Sequence, residues 1–187
     1  YYNKATQGGL IAHFTAVADA SEKPVILYNV PGRTGCNLLP ETVARLAEHP
    51  RIAAMKEASG NMAQIVELFT RCGDKLDVYS GEDGIAVPVM AMGGAGCISV
   101  LSNIAPKQTV AMTDAFFAGD LERAAQLQCA LYPLIRCLFS EVNPVPVKAA
   151  LAKMGICREI LRLPLVPMEP AHREALYAQM QKLGVLA

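Results

Sequence analysis

The sequence predicts an α/β fold, with a parallel sheet in its first part and helices alone after about residue 120. Four short runs are nearly continuous in apolar residues: "PVILYNV" (24–30), "RIAAMKEA" (51–58), "KLDVYSG" (75–81) and "AGCISV" (95–100). Runs of this kind are typical of strands that are covered on both faces. Segments with helical periodicity alternate with them, which indicates repeated strand–helix units and a parallel sheet, open or closed into a barrel.

The helical segments around these runs are residues 9–20, 39–49, 61–72, 84–94 and 105–119. Asn61 is suited to cap the third of them, and Asp120 the first helix of the later part. That later part contains three helical segments, residues 120–139, 145–155 and 169–184. We therefore predict a partial barrel with catalytic strand ends over residues 1–118 and a helical C-terminal domain over residues 119–187.

Composition and charge exclude several classes of function. The chain has 187 residues, of which 52% are apolar, and 17 basic residues balance 17 acidic ones. A neutral chain offers no electrostatic attraction to nucleic acid or to an anionic membrane. No apolar run is long enough for a transmembrane helix. The six cysteines lack metal-ligand spacing, which predicts reduced thiols in a cytoplasmic protein and no metal site.

Lys56 ends an apolar run, where a charged side chain is unexpected. Burial disfavours the ammonium form of a lysine, and the neutral amine that results can attack a ketone carbon to form a Schiff base. The protonated imine then serves as an electron sink for carbon–carbon bond chemistry. The alternative is a structural lysine that reaches water from the strand end or pairs with the adjacent Glu57.

Polar residues gather where the predicted strands end. The carboxyl ends of parallel strands share one edge of the sheet, so we expect Tyr28, Arg33, Lys56, Ser80 and Ile98 to converge there. A phenol beside the lysine can move protons during imine formation, and a guanidinium can hold a carboxylate through two parallel hydrogen bonds. The three side chains together favour a 2-keto acid. Alternatively, the tyrosine belongs to the core and the arginine to a surface loop.

Six motifs in order resemble those of the dihydrodipicolinate synthase family. They are "YYN" (1–3), "YNVPGRTG" (28–35), "KEASGN" (56–61), "SGED" (80–83), "GCISV" (96–100) and "NPVPVKAAL" (143–151). The likeness covers the whole chain. It implies the C-terminal part of a (β/α)8 TIM barrel, with about four strands, followed by a helical domain. It also implies a cytoplasmic class I aldolase of lysine and diaminopimelate biosynthesis that needs no cofactor.

The resemblance implies roles for the three residues already singled out. Lys56 would form a Schiff base with pyruvate, and Tyr28 would relay protons and position the aldehyde. Arg33 would bind the carboxylate of the second substrate, L-aspartate 4-semialdehyde. The related N-acetylneuraminate lyases share the lysine and the tyrosine but typically lack this arginine, so Arg33 favours the synthase. Another Schiff-base aldolase of 2-keto acids is the alternative enzyme.

Further matches concern the edge of the site and the subunit interface. Gly81 and Ile98 would line the pyruvate site with their backbone. Tyr2 would complete the proton relay of a neighbouring subunit, in a homodimer or a tetramer. Tyr1 would lie near an allosteric site where lysine acts as a feedback inhibitor.

The chain also departs from the family. Members carry a long segment ahead of the part that matches "YYN", with the first strands of the barrel and a pair of adjacent threonines of the proton relay. This sequence contains no counterpart of that segment. Two further hypotheses therefore stand beside the synthase. One is a truncated homologue without activity, and the other is a binding module in which Lys56 is structural.

Overall fold

The computed structural model describes residues 3–186. The chain forms two compact units, residues 1–98 and residues 99–187. The predicted domain division after residue 118 stays a prediction, because these units reflect contacts within this chain alone. Within the described residues, no helix is both long and apolar enough to span a bilayer.

The first unit is built on four parallel strands in the order β1-β2-β3-β4. Each strand lies within one of the four apolar runs, so the predicted parallel sheet is confirmed. The strands are β1 Val25–Asn29, β2 Ile52–Glu57, β3 Asp77–Ser80 and β4 Gly96–Cys97. The helices of this unit are α1 Gln7–Ala20, α2 Pro31–Thr34, α3 Pro40–Leu46, α4 Met62–Cys72 and α5 Ala86–Ala91.

The second unit is helical in its described residues. Its helices are α6 Pro106–Phe117, α7 Leu121–Leu138, α8 Val145–Lys153 and α9 Pro170–Lys182. Helix α7 contacts α6, α8 and α9, and its side chains Leu131, Leu134 and Leu138 are buried. Each of the three helices predicted after residue 120 is present.

Side-chain caps set the starts of the helices where the sequence predicted them. The Asn61 side chain accepts a hydrogen bond from the backbone N–H of Gln64, and Asp120 accepts one from Arg123. Each cap satisfies a backbone donor of the first helical turn that would otherwise lack a partner. Helix α1 begins two residues earlier than the periodicity indicated, because Thr6 caps it in the same way.

The sheet has one face that is covered by helices and one that is open. On the covered face, side chains from β1, β2 and β3 pack with α1, α3 and α4 in a single apolar core. Its buried members are Ala18, Leu27, Leu38, Val43, Leu46, Ile52, Met55, Leu68, Cys72, Leu76 and Val78. Successive residues of a strand point to opposite faces, so Ile26 and Tyr28 lie on the other face, where they are 53% and 46% exposed.

Candidate active site

Lys56 and Tyr28 meet on the open face of the sheet. They are partners in the parallel register of β1 and β2, so their side chains leave the sheet side by side. The Nζ atom of Lys56 lies 4.4 Å from the centroid of the Tyr28 ring. An ammonium over an aromatic face is favourable, and the contact brings the amine beside the phenol ring. The predicted convergence of these two residues is present.

Glu57 does not neutralise Lys56, although the two residues are adjacent in sequence. The pleat turns Glu57 to the covered face, where it is 1% exposed. Its carboxylate accepts hydrogen bonds from the Asn29 side chain and from the backbone N–H of Ser59. Within residues 3–186 the ion pairs include none between Lys56 and Glu57. The half-buried lysine therefore stands on the open face without Glu57 as a partner, and a structural lysine that reaches water from the strand end remains the alternative.

The backbone at Gly81 lies against the side chain of Lys56. A Cβ atom at this position would lie 2.8 Å from the Cβ of Ala58 and 2.9 Å from both the Cε and the Cγ of Lys56. Real Cβ atoms do not approach other atoms so closely, so a side chain here would have to displace the lysine. The glycine lets the backbone pass against the aliphatic stem of Lys56.

Replacing Gly81 by alanine should therefore move the Lys56 side chain and slow any reaction of its amine. A misplacement of about 1 Å in a reacting group can cost on the order of 100-fold in rate. The measurement is the rate of reductive trapping of pyruvate on Lys56, followed by mass spectrometry. Gly8→Ala is the matched control, because a Cβ there meets only the Thr6 hydroxyl oxygen, at 4.0 Å. Equal trapping rates in both variants would contradict the steric role of Gly81.

Ile98 lies at the same sheet edge, but Ser80 does not share the face of Lys56. The backbone N–H of Ile98 donates to the carbonyl oxygen of Ser80 over 2.8 Å, which continues the pairing of β3 with β4. Ser80 pairs with Glu57 in the register and is buried. Its hydroxyl donates to the backbone oxygen of Glu82. Ser80 therefore lies at the predicted edge, but the expectation that its side chain converges with Lys56 is wrong, because it sits one residue out of phase in the pleat.

Arg33 lies on a single helical turn, which the sequence analysis interpreted as a loop. Helix α2 begins with Pro31, whose fixed φ suits the first helical position. It ends at Gly35, whose φ of 63° is left-handed and favours glycine. Arg33 is exposed on this turn, directly after β1. The turn thus follows the carboxyl end of β1, the strand that carries Tyr28.

The remaining predicted site residues, Tyr1 and Tyr2, lie outside the described residues, and their roles stay predictions. One neighbour was missed by the sequence analysis. Tyr79 pairs with Lys56 on the side away from Tyr28, so three long side chains form a row across β1, β2 and β3. The sequence could have predicted this neighbour, because Tyr79 stands at the end of an apolar run as Lys56 does, in the same alternation of faces.

Other reactive groups near the site are poor nucleophiles. Burial raises the pKa of the Cys97 thiol to about 11, and the nearby Asp83 carboxylate contributes to the shift. A thiol with this pKa holds almost no thiolate at neutral pH. Among residues 3–186, no group of three or more His, Cys, Asp and Glu side chains is arranged to hold a metal ion.

A parallel sheet of strand–helix units, with a lysine and a tyrosine side by side near its carboxyl edge, places the chain in a class: α/β proteins whose candidate site lies at the strand ends. Comparison with family models gives the particular family. The model described as the Dihydrodipicolinate synthetase family matches residues 1–183. The chain belongs to this family.

Individual relatives are similar over the whole chain. A 4-hydroxy-tetrahydrodipicolinate synthase of Trichlorobacter lovleyi is 57% identical over 186 residues, and that of Pelobacter propionicus is 53% identical. Each match covers 100% of this chain and 64% of the relative. The chain thus spans a little under two thirds of the length of the curated relatives it matches.

Solved structures confirm the predicted fold class. The dihydrodipicolinate synthase of Thermotoga maritima matches with a TM-score of 0.97 at 41% identity, covering 100% of this chain and 64% of that one. The Acinetobacter baumannii enzyme, complexed with pyruvate, gives a TM-score of 0.95 at 43% identity, with the same coverage. The enzyme of Cyanidioschyzon merolae, with lysine bound, gives 0.94 at 38% identity, covering 100% and 63%. The described sheet and helices are therefore part of a (β/α)8 barrel and the helices that follow it.

Proposed function

We propose that the protein carrying this chain condenses pyruvate with L-aspartate 4-semialdehyde, through a Schiff base on Lys56, to give 4-hydroxy-tetrahydrodipicolinate. The observation that carries this proposal is the pair formed by the Lys56 amine and the Tyr28 ring, 4.4 Å apart near the carboxyl edge of a parallel sheet. An amine nucleophile and a phenolic acid–base group are the two parts that imine chemistry requires. The names of the relatives, all synthases of this kind, support the choice of substrates.

The reaction balances with these groups alone. The neutral amine of Lys56 adds to the ketone carbon of pyruvate, and the carbinolamine loses water to give the imine. Loss of a methyl proton forms an enamine, whose carbon attacks the aldehyde of the second substrate. The amino group of that substrate then attacks the imine carbon, closes the ring and releases the lysine. We assign to the phenol of Tyr28 the role of giving and taking the protons of these steps.

The protonated imine supplies the electron sink, so the proposed reaction uses neither a metal nor an organic cofactor. Gly81 and Ile98 are proposed to line the pyruvate site from β3 and β4, and Tyr2 to complete the relay of a neighbouring subunit. A homo-oligomer in the cytoplasm, inhibited by lysine near Tyr1, is part of the same proposal. The lysine bound to the Cyanidioschyzon merolae enzyme supports the inhibitor.

Reductive trapping tests the proposed chemistry directly. The complete product of the gene is incubated with pyruvate and borohydride, digested, and mapped by mass spectrometry. A stable pyruvate adduct confined to Lys56 is the expected result. An unmodified Lys56 in folded protein would sink the proposed chemistry and favour the binding module instead.

Arg33→Ala should weaken the use of the aldehyde substrate more than the use of pyruvate. A charge-assisted hydrogen bond contributes about 1.5 to 3 kcal/mol, so losing the guanidinium should raise the aldehyde KM roughly 10- to 100-fold. Steady-state kinetics with each substrate varied in turn give the two KM values. Arg33→Lys keeps the charge without the planar fork and should be intermediate. An unchanged aldehyde KM would assign the carboxylate to another cation and reopen the lyase alternative.

A further inference from the structure

Beneath the site, on the covered face of the sheet, lies a polar cluster that the proposed reaction does not use. Asn29 and Glu57 end β1 and β2 and are 2% and 1% exposed. The Nδ2 atom of Asn29 donates to Oε2 of Glu57 over 3.0 Å. Each of these residues directly follows a residue of the site, Tyr28 in one strand and Lys56 in the other.

The same asparagine closes the loop that carries Arg33. Its Nδ2 atom also donates to Oδ1 of Asn37 over 2.9 Å, and its Oδ1 atom accepts from the backbone N–H of Leu38 over 2.9 Å. The loop of residues 30–37 therefore leaves the sheet at Asn29 and is tied back to Asn29 at its far end. The Asn29 side chain therefore holds the far end of the loop close to the strand end from which the loop starts.

Further contacts extend this cluster to the segment after β2 and to helix α4. The Oε1 atom of Glu57 accepts from the backbone N–H of Ser59 over 2.5 Å. Asn37 and Gln64 exchange a pair of hydrogen bonds, at 2.7 and 3.2 Å, which reach α4. We call the side chains of Asn29, Asn37, Glu57 and Gln64 the polar clamp.

We propose that the polar clamp is a positioning device: Asn29 and Glu57 fix the Arg33 loop relative to the strand end that carries Lys56. The inference rests on the proposed function for the roles of Arg33 and Lys56. The clamp joins the two strand ends and the loop on the face opposite to the chemistry. Loss of the clamp should therefore increase the mobility of Arg33, while the amine of Lys56 keeps its position on β2.

The hydrogen-bond pattern of the clamp requires both side-chain oxygens of Glu57 to act as acceptors. Two donors, the Asn29 amide and the Ser59 N–H, converge on its two oxygens. In Glu57→Gln the new amide must face one of these donors with an N–H group, and a buried donor left without an acceptor is costly. In Asn29→Asp two buried carboxylates would face each other, and the Asn37 oxygen would lose a donor. Each single change breaks the clamp.

The double variant Asn29→Asp/Glu57→Gln restores the clamp, with the donor and acceptor roles of residues 29 and 57 exchanged. The carboxylate at 29 accepts from the Leu38 N–H and from the new amide at 57, whose oxygen still accepts from Ser59. Asn37 then turns its amide to donate to residue 29, and Gln64 turns with it, since their reciprocal pair is symmetric under that exchange. The buried charge stays the same. Rescue by the double variant separates positioning from general damage to the core.

The first test compares the three variants with the unaltered complete protein. We expect each single variant to raise the aldehyde KM about tenfold, while pyruvate trapping on Lys56 stays near its normal rate, and the double variant to recover most of the loss. Thr109→Val removes a buried hydrogen bond elsewhere and should lower stability without changing the aldehyde KM. The proposal is overturned if trapping and aldehyde KM worsen together, or if the double variant is no better than the worse single one.

A second readout needs no activity. Hydrogen exchange of the backbone amides over residues 33–38 reports on the Arg33 loop, and it should accelerate in the single variants and return in the double variant. If pyruvate trapping fails in the unaltered protein, the proposed function falls, yet this exchange still decides whether the clamp holds the loop. Unchanged exchange in both single variants would overturn the clamp itself.

Discussion

Lys56→Ala should abolish both the pyruvate adduct and the condensation while leaving the fold intact. The residue holds its place in the sheet through backbone pairing with β1 and β3, and alanine keeps that pairing. The loss of a covalent nucleophile lowers turnover by about 10⁴- to 10⁶-fold. Turnover in the complete protein and the mass of the trapped peptide are the two measurements. Circular dichroism and thermal unfolding should be close to those of the unaltered protein.

Two matched variants sharpen this result. Lys56→Arg keeps a positive charge at the strand end but cannot form an imine, so it should be as inactive as the alanine variant. Lys75→Ala removes an exposed lysine that bonds to Glu48 and should keep both adduct and turnover. Appreciable condensation in either Lys56 variant would rule out the imine mechanism.

Tyr28→Phe carries the second largest expected effect. The variant keeps the aromatic ring below the Lys56 amine and removes only the hydroxyl, so packing and the cation–aromatic contact persist. The rate of imine formation should fall by about 10²- to 10⁴-fold, the usual contribution of a positioned acid–base group. Rapid-mixing measurements of imine formation with pyruvate alone isolate this step from the later condensation.

The control for this variant is Tyr132→Phe, which removes a phenol that is 47% exposed on α7. It should have normal rates. If Tyr28→Phe formed the imine as fast as the unaltered protein, the proton would have to come from another group, and Tyr28 would leave the relay.

The sheet could be predicted from the sequence because each strand is a nearly continuous apolar run between helical segments. The meeting of Tyr28 with Lys56 followed from the shared edge of parallel strands. The face on which a residue lies could not be predicted as well. Ser80 was placed with Lys56 because it ends a run, yet the pleat sends it to the covered face. The face on which a side chain lies alternates from one residue of a strand to the next. The end of an apolar run locates the end of the strand only to within one residue, so it does not determine the face.

The polar clamp could not be predicted from the sequence for a different reason. Glu57 appeared as a possible partner of Lys56, since the two are neighbours in sequence. Its actual partners are Asn29, twenty-eight positions away along the chain, and the Ser59 backbone. Hydrogen bonds between distant side chains leave no periodic trace in a sequence. The short helix α2 was likewise missed, because one turn is too short to show a repeat.

The placement of Lys56 and Glu57 on one strand has a consequence for folding. Sliding β2 by a single residue against its neighbours would reverse the faces of the two side chains. An amine would turn to the covered face, where the Glu57 carboxylate now accepts from Asn29 and Ser59, and a carboxylate would turn to the open face. Both outcomes are strongly unfavourable. The Lys56–Glu57 dipeptide therefore also disfavours misalignment of the sheet.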